Sequence, residues 1–356
     1  MVQEKGSVLY LGNKLMAHGF TPTSIETLGQ LLESQYSMRF ASSFRNPLWR
    51  LLHMLWVLVR FRKSTQVVLI DTYSALAFHY AWLTGLLSKW LKLPYIPILR
   101  GGDLPHRQKR SPRLMARFLN QAFATVVPSG YLWEHFASQY PRCVFLPNNI
   151  PLRNYSFKMR QNLCPRLLYV RAFHQIYNPA MAIKVLARLA ETYPKARLCM
   201  IGPDKDGTLA DVMSLARTLA VEDRLEITGR LAKQAWIEKS VDWDIFINTT
   251  DFDNHPVSVT EAMALGLPVV STNAGGLPNL IQHQVEGLLV NCGDVEAMVA
   301  SIKTLLDHPN QAVTMAKNAR QKVEAFDWDR LKFRWFQLID DAITGKFKKE
   351  TEAFKP

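Results

Sequence analysis

The stretch TTDFDNHPVSVTEAMALGLPVVSTNAGGLPNLI, residues 249–281, decides how the chain folds. It continues an apolar run, DIFINT, that reads as a buried strand. Asp253, Asn254 and His255 interrupt the apolar pattern, and Pro256 suits the first turn of a helix. Val257 through Leu265 continue that helix, Gly266 is its C-cap and Pro268 prevents continuation. PVVST is then a second buried strand, and its end carries Asn273, Ala274, Gly275 and Gly276.

Two acids, Asp253 and Glu261, stand eight positions apart across the helix start. A fully helical segment of that length spans about 12 Å, at roughly 1.5 Å per residue. Paired carboxylates of a glycosidase work about 5 to 9.5 Å apart across one bond. The spacing suits a longer ligand with polar groups at both ends. The helix start offers free backbone N–H groups that favour an anion, above all phosphate. A nucleotide-diphosphate sugar meets all three demands, with sugar near Asp253, diphosphate at the helix start and ribose near Glu261. The plain structural alternative is that Asp253 caps the helix and Glu261 pairs with a neighbouring arginine.

Outward from this stretch the chain alternates strands and helices. SVLYLG, VVLID, YIPILRG, ATVVPS and CVFLP are short apolar runs in the first half, with Gly12 and Gly19 in the loop after the first. TSIETLGQLLESQ has helical spacing, with Leu28, Leu31 and Leu32 on one face. After PNNIPLRN the pattern restarts with RLLYVR, ARLCMIGP, RLEITG, DIFINT, PVVST and GLLVN. Helical segments such as NPAMAIKVLARLAETY and TLADVMSLARTLA lie between them. This is an α/β chain with two doubly wound parallel sheets covered by helices. In such sheets ligands sit at the carboxyl ends of the strands, and two units joined near residue 150 leave a cleft between them. The expected domains are 1–150, 151–325, a helix over 326–345 and a flexible polar tail, 346–356. Trp328, Leu331, Trp335 and Leu338 form the core-facing side of that last helix.

At 356 residues the chain exceeds one ordinary core, and 48% hydrophobic with 21% charged residues excludes a disordered chain. Cys143, Cys164, Cys199 and Cys292 are scattered, so neither a zinc site nor a disulfide framework is indicated. No secretory leader is read at the start, and a cytoplasmic location is expected. The uncharged run Thr72–Ser88 is 17 residues and includes His79. A spanning helix needs about 20 apolar residues, so a buried crossover helix is expected there.

The net charge of +13 is uneven. Residues 1–150 hold 17 Lys+Arg against 6 Asp+Glu, and residues 151–356 hold 26 against 24. The basic half points to an anionic partner such as a membrane, a phosphorylated acceptor or nucleic acid. FRNPLWRLLHMLWVLVRFRK, residues 44–63, combines Trp49, Trp56, leucines and five basic residues. It reads either as an interfacial segment on a membrane or as a helix packed on the sheet. A second basic cluster runs from Arg107 to Arg117. No RNP, zinc-finger or helix-turn-helix signature supports nucleic acid. No G-x-G-x-x-G follows the first strand, which argues against a Rossmann dehydrogenase.

Glu261-Ala262-Met263-Ala264, Gly266, Pro268-Val269-Val270 and Gly275-Gly276 resemble the C-terminal signature of glycosyltransferase family 4, the retaining enzymes of GT-B fold. The resemblance covers the C-terminal half nearly whole and the N-terminal half loosely. It implies two Rossmann-like domains facing a cleft, the last helix crossing back to the first domain. It also implies a catalytic site with Asp253 at the transferred sugar and Arg171 neutralising the diphosphate. Glu261 would hold the ribose, the Val257 and Ser258 amides would face the diphosphate, and Asn254 and His255 would join the donor contacts. Gly12 sits where the family's first loop approaches the phosphates. Arg100, in RGGD, replaces the family's histidine and, with Asp103, is a possible acceptor or phosphate contact. Family members usually carry Glu where Asp253 stands, and a lysine near the positions held here by Ile176, Tyr177 and Asn178.

The activity implied is transfer of a sugar from a nucleotide-diphosphate donor to a lipid-linked or polysaccharide-precursor acceptor, by front-face attack. No metal or further cofactor is expected, since Asp204 and Asp206 read as an ordinary loop. Peripheral contact of the basic N-terminal domain with an anionic membrane is expected, and no nucleic acid. The departures at Asp253 and at the lysine keep open a catalytically weakened GT-B protein that binds sugar nucleotide or anionic lipid.

Overall fold

The computed structural model describes residues 5–18 and 22–347. Gly19 and all of the expected tail except Lys346 and Phe347 lie outside the described residues. The chain divides into two compact units, residues 1–149 with 329–356, and residues 150–328.

The N-terminal unit is built on six parallel strands: β1 Ser7–Leu11, β2 Ser37–Ala41, β3 Val67–Thr72, β4 Tyr95–Leu99, β5 Thr125–Val127 and β6 Cys143–Phe145. Their order is β2-β1-β3-β4-β5-β6, so the winding reverses between β1 and β3. All of β3 and β4 is buried, as a parallel sheet covered on both faces requires. The sequence reading missed β2, SMRFA. It is an edge strand whose only buried residue is Ala41, and Arg39 interrupts its apolar pattern. The expected crossover helix forms over Ala77–Trp90. The last helix, Trp328–Thr344, buries Leu331, Trp335 and Leu338, and Trp328 itself is half-buried. From residue 329 this helix belongs to the N-terminal unit. The Tyr36 hydroxyl donates to Phe336 O at 2.9 Å and to Asp340 Oδ1 at 2.8 Å.

The C-terminal unit holds β7 Arg166–Val170, β8 Arg197–Ile201, β9 Leu225–Gly229, β10 Ile245–Asn248, β11 Val269–Thr272 and β12 Leu288–Val290. These are the six runs read from the sequence. Their order, β12-β11-β10-β7-β8-β9, reverses between β7 and β10, the doubly wound order of a Rossmann sheet. The strand period of two sorts the core into two layers. Leu167, Tyr169, Leu198, Met200, Ile245 and Ile247 face one cluster with helices Pro179–Thr192 and Val295–Asp307. Leu168, Cys199 and Phe246 face the other, with Ala262, Met263 and Val323.

The small side chains of EAMALG have a packing reason. In helix Val257–Ala264 every residue after Val257 is buried, including Ala262 and Ala264. Gly266 follows with φ +73°, and a Cβ there would lie 2.6 Å from Lys158 O. The sequence put Pro256 in the first turn; in the structure it is the N-cap and Val257 begins the helix.

Candidate functional site

In an open parallel sheet, loops part on opposite sides where the winding reverses, and a ligand finds room at the carboxyl ends there. In the C-terminal unit this point lies between β7 and β10. The residue after β7 is Arg171, and the loop after β10 carries Asp253 and leads into helix Val257–Ala264. Arg171 Nη2 forms an ion pair with Asp253 Oδ2. Both side chains are mostly enclosed, at 14% and 16% accessible. Asp253 Oδ1 accepts from the His255 amide at 3.0 Å, so the acid turns its own loop rather than capping the helix. The N-cap residue, Pro256, makes no side-chain cap hydrogen bond, and the Ser258 hydroxyl is buried without a hydrogen-bond partner among the described residues.

The guanidinium of Arg171 lies over the Tyr177 ring, 4.2 Å from its centroid. Its Nε is buried and makes no hydrogen bond among the described residues. Burial pulls Arg171 below its ordinary pKa, and the neighbouring Tyr177 and Tyr169 oppose that shift. Tyr177 belongs to the turn Gln175–Tyr177. The Thr249 hydroxyl donates to the carbonyls of Tyr177 and Asn178 at 2.9 and 2.8 Å, and Thr250 to Ile176 O at 3.1 Å. The loop after β10 is thereby laced to the turn after β7.

Two glycines are dictated by this lacing. A Cβ on Gly202 would lie 1.9 Å from Arg171 O, and one on Gly275 2.1 Å from Asp253 O. The Gly276 amide donates to the same Asp253 carbonyl at 2.8 Å. The Gly-Gly pair of the opening stretch thus serves the backbone of Asp253.

Glu261 is buried at 3% exposure and engaged twice. It accepts from the Tyr155 hydroxyl at 2.8 Å and forms an ion pair with Lys233. Burial, and then the Glu261 charge, push the Tyr155 phenol well above its usual pKa. Neither Tyr155 nor Lys233 was found from the sequence, because they lie 106 and 28 residues from Glu261. Lys233 begins helix Lys233–Lys239 after β9 and is the cation the structure places beside a predicted donor residue. Asn254 is buried, and His255 Nε2 lies 3.3 Å from the Thr260 hydroxyl.

At the reversal point of the N-terminal sheet Gly12 follows β1 and Asp71 lies near the end of β3. A Cβ on Gly12 would lie 2.7 Å from Asp71 Oδ2. The Gly12 amide donates to Ala41 O at 2.7 Å, extending the β1–β2 pairing. The Gly12 N–H is thus committed to the sheet, and its lack of a side chain accommodates Asp71. Asp71 Oδ1 accepts from the Tyr10 hydroxyl at 2.9 Å and lies 3.5 Å from Arg100 Nε. Arg100 also donates to Asn148 Oδ1. Burial raises the Asp71 carboxyl above its usual pKa, and Arg100 opposes the rise. Asp103 is half-exposed and pairs with His106 Nδ1 at 2.9 Å.

Among the described residues no three His, Cys, Asp or Glu side chains gather as metal ligands. Asp204 Oδ1 accepts from the Gly207 amide at 3.0 Å, and Asp206 Oδ2 from the Gln175 amide at 3.0 Å. No helix of the described residues is long and apolar enough to cross a membrane.

Residues 160–322 match the family model described as Glycosyl transferases group 1. Over 150 residues the chain is 31% identical to the sulfoquinovosyl transferase SQD2 of Arabidopsis thaliana, covering 41% of this chain and 28% of that protein. It is 27% identical over 273 residues to the amylovoran biosynthesis glycosyltransferase AmsK of Erwinia amylovora, covering 69% and 64%. The chain thus spans less than two thirds of the length of these curated relatives. Among solved structures, HepE of Anabaena in complex with UDP superposes with TM-score 0.75 at 16% identity, covering 94% of this chain and 100% of that one. Sucrose-phosphate synthase of Thermosynechococcus elongatus gives 0.73 at 16% identity, covering 96% and 100%. The fold is that of these GT-B structures, two Rossmann-like units, and residues 160–322 carry the match to glycosyl transferases group 1.

Proposed function

We propose that the protein is a glycosyltransferase that takes its sugar from a nucleotide diphosphate bound at the β7/β10 reversal point. The carrying observation is Arg171. It is an enclosed guanidinium whose Nε makes no hydrogen bond among the described residues, near a helix start whose N-cap residue, Pro256, gives no side-chain cap. A planar, permanently charged group with an open donor suits a diphosphate. In this reading Arg171 and the Val257 and Ser258 amides meet the charge that develops on the leaving diphosphate, in place of a metal ion. Asp253, released from Arg171, contacts the transferred sugar. Asn254 and His255 shape the same loop, and Glu261 holds the ribose hydroxyls. The mechanism is retaining, with front-face attack. The acceptor is a lipid-linked or polysaccharide-precursor saccharide, a class supported by AmsK, which is named for amylovoran biosynthesis. Asp103 belongs to acceptor or phosphate contacts, whereas Arg100 is engaged by Asp71 and Asn148, and the protein works in the cytoplasm, in peripheral contact with an anionic membrane.

Thermal-shift measurement against UDP-, GDP- and ADP-sugars tests this. UDP leads the series because HepE is described with UDP and with UDP-glucose. A donor at 100 times its Kd stabilises by about 2.7 kcal/mol. The melting temperature should rise by several degrees, and Arg171→Ala should abolish the rise. No shift with any of the three donors would overturn the reading. The engagement of Asp253 by Arg171 and by its own loop favours a second reading, a weakened protein that binds donor without transferring it. A shift without sugar transfer or slow donor hydrolysis would select that one.

A further inference from the structure

The helix Pro47–Arg60 has two apolar faces, and only one is used. Met54, Val57 and Leu58 are buried in the N-terminal core. On the other side Leu48, Trp49, Leu52, Trp56 and Val59 are exposed, the first two at 63% and 61% and Trp56 at 58%. At 100° per residue these five fall within about 100° of one another, a continuous stripe. The helix is firmly started, since Asn46 accepts from the Leu48 and Trp49 amides at 2.9 and 3.2 Å. Trp56 stacks on His53 with ring centroids 6.1 Å apart and planes at 17°. Buried Arg50 donates to Phe44 O and Arg45 O, fixing the approach to the helix.

The charges around the stripe have one sign. Arg45 precedes the helix, and Arg60, Arg62 and Lys63 end it, all exposed. No acid occurs between Glu33 and Asp71. A second copy of this chain would bring the same positive ends together, whereas an anionic lipid surface would neutralise both. Tryptophans flanked by basic residues match the boundary between headgroups and acyl chains. At about 1.5 Å per residue the 14-residue helix is about 21 Å long, too short to span a core of about 30 Å.

We infer that helix Pro47–Arg60 lies flat in the interface of an anionic bilayer, with Trp49 and Trp56 inserted and Arg45, Arg60, Arg62 and Lys63 at the headgroup phosphates. This deepens the membrane part of the proposed function and is independent of the donor site.

The test is co-sedimentation of the full chain with vesicles of phosphatidylcholine, with and without phosphatidylglycerol. Wild type should bind the anionic vesicles and bind them less as salt is raised. Trp49→Ser with Trp56→Ser should lower partitioning about tenfold or more, with the melting temperature unchanged because both side chains are exposed. A comparison variant removes three exposed charges of the second cluster, Lys109→Gln, Arg110→Gln and Arg113→Gln. If only that variant loses binding, the helix assignment falls and the membrane reading stands. If wild type binds no vesicle, both fall. If the tryptophan variant instead converts a dimer to a monomer in lipid-free sedimentation while vesicle binding is unchanged, the stripe is a self-association face and the inference is overturned.

Discussion

At the reversal point of the N-terminal sheet, Asp71 and Arg100 face each other with the Asp71 side chain wholly inaccessible. At the reversal point of the C-terminal sheet, Arg171 and Asp253 also pair, but 16% of the acid's side chain is reached by solvent. Tyr10 and Asn148 close the first network. The second is held by backbone lacing and an aromatic face, beside a helix whose N-cap residue, Pro256, offers no side-chain cap. The same topological position therefore does two jobs: a sealed pair fixes strand ends, whereas an accessible pair can exchange its partner for a ligand.

The largest effect should come from halving the sealed pair. Removing one partner of a buried ion pair costs about 3 to 5 kcal/mol, because a charge is left without compensation. Arg100→Ala should lose that much, read as the denaturant midpoint of the N-terminal unit. The pH dependence has a definite sign. Asp71 already has a raised pKa from burial, and Arg100 lowers it. Without Arg100 the folded-state value climbs further above the unfolded one. Stability then falls as pH rises from the unfolded toward the folded pKa and is regained on acidification. The deficit of Arg100→Ala should therefore shrink toward acid pH. A deficit constant with pH would break the claim that Asp71 is the uncompensated group.

The accessible pair should be most sensitive through its backbone. Gly275→Ala places a Cβ against Asp253 O at a φ of +56°, and should cost about 3 kcal/mol. Gly293 also has a positive φ, +77°, with nothing within 4 Å of a Cβ. Gly293→Ala should cost about 1 kcal/mol, the conformational part alone. Equal denaturant midpoints for the two variants would show that the contact with Asp253 is not what requires Gly275.

The sequence exposed this difference unevenly. All six strands of the C-terminal sheet were legible, since buried parallel strands are short apolar runs between turn residues. Five of six were legible in the N-terminal sheet, and β2 escaped because an edge strand need not be apolar. Asp253 and Glu261 were visible through local spacing, and Val257 and Ser258 through the family resemblance. Asp71, Tyr155, Lys233 and the stacking of Tyr177 were not, because each acts through contact with a residue distant in sequence or on a separate turn. Gly12 was legible as a special position, but the Asp71 carboxylate packed against it was not. The 44–63 segment left two readings open, core helix or interfacial segment, and the structure gives that helix one buried and one exposed apolar face.

Arg171→Ala gives the next effect, on binding rather than folding. Its partner Asp253 keeps the His255 amide and some solvent, so the loss of stability should stay near 1 kcal/mol, well below that of Arg100→Ala. The donor-induced stabilisation, about 2.7 kcal/mol at 100 times Kd, should vanish. Tyr177→Leu should have the smallest effect. It keeps the turn and its carbonyls, to which Thr249 and Thr250 donate, and removes the ring under the guanidinium, which also packs on His174. A cation–π contact at a partly enclosed site contributes about 0.5 to 1 kcal/mol, so donor affinity should fall about two- to fivefold. If Tyr177→Leu abolished the donor shift as completely as Arg171→Ala, the ring would be orienting the guanidinium rather than merely adding to its stability. The lacing of the two loops would then be insufficient to hold Arg171 toward a ligand.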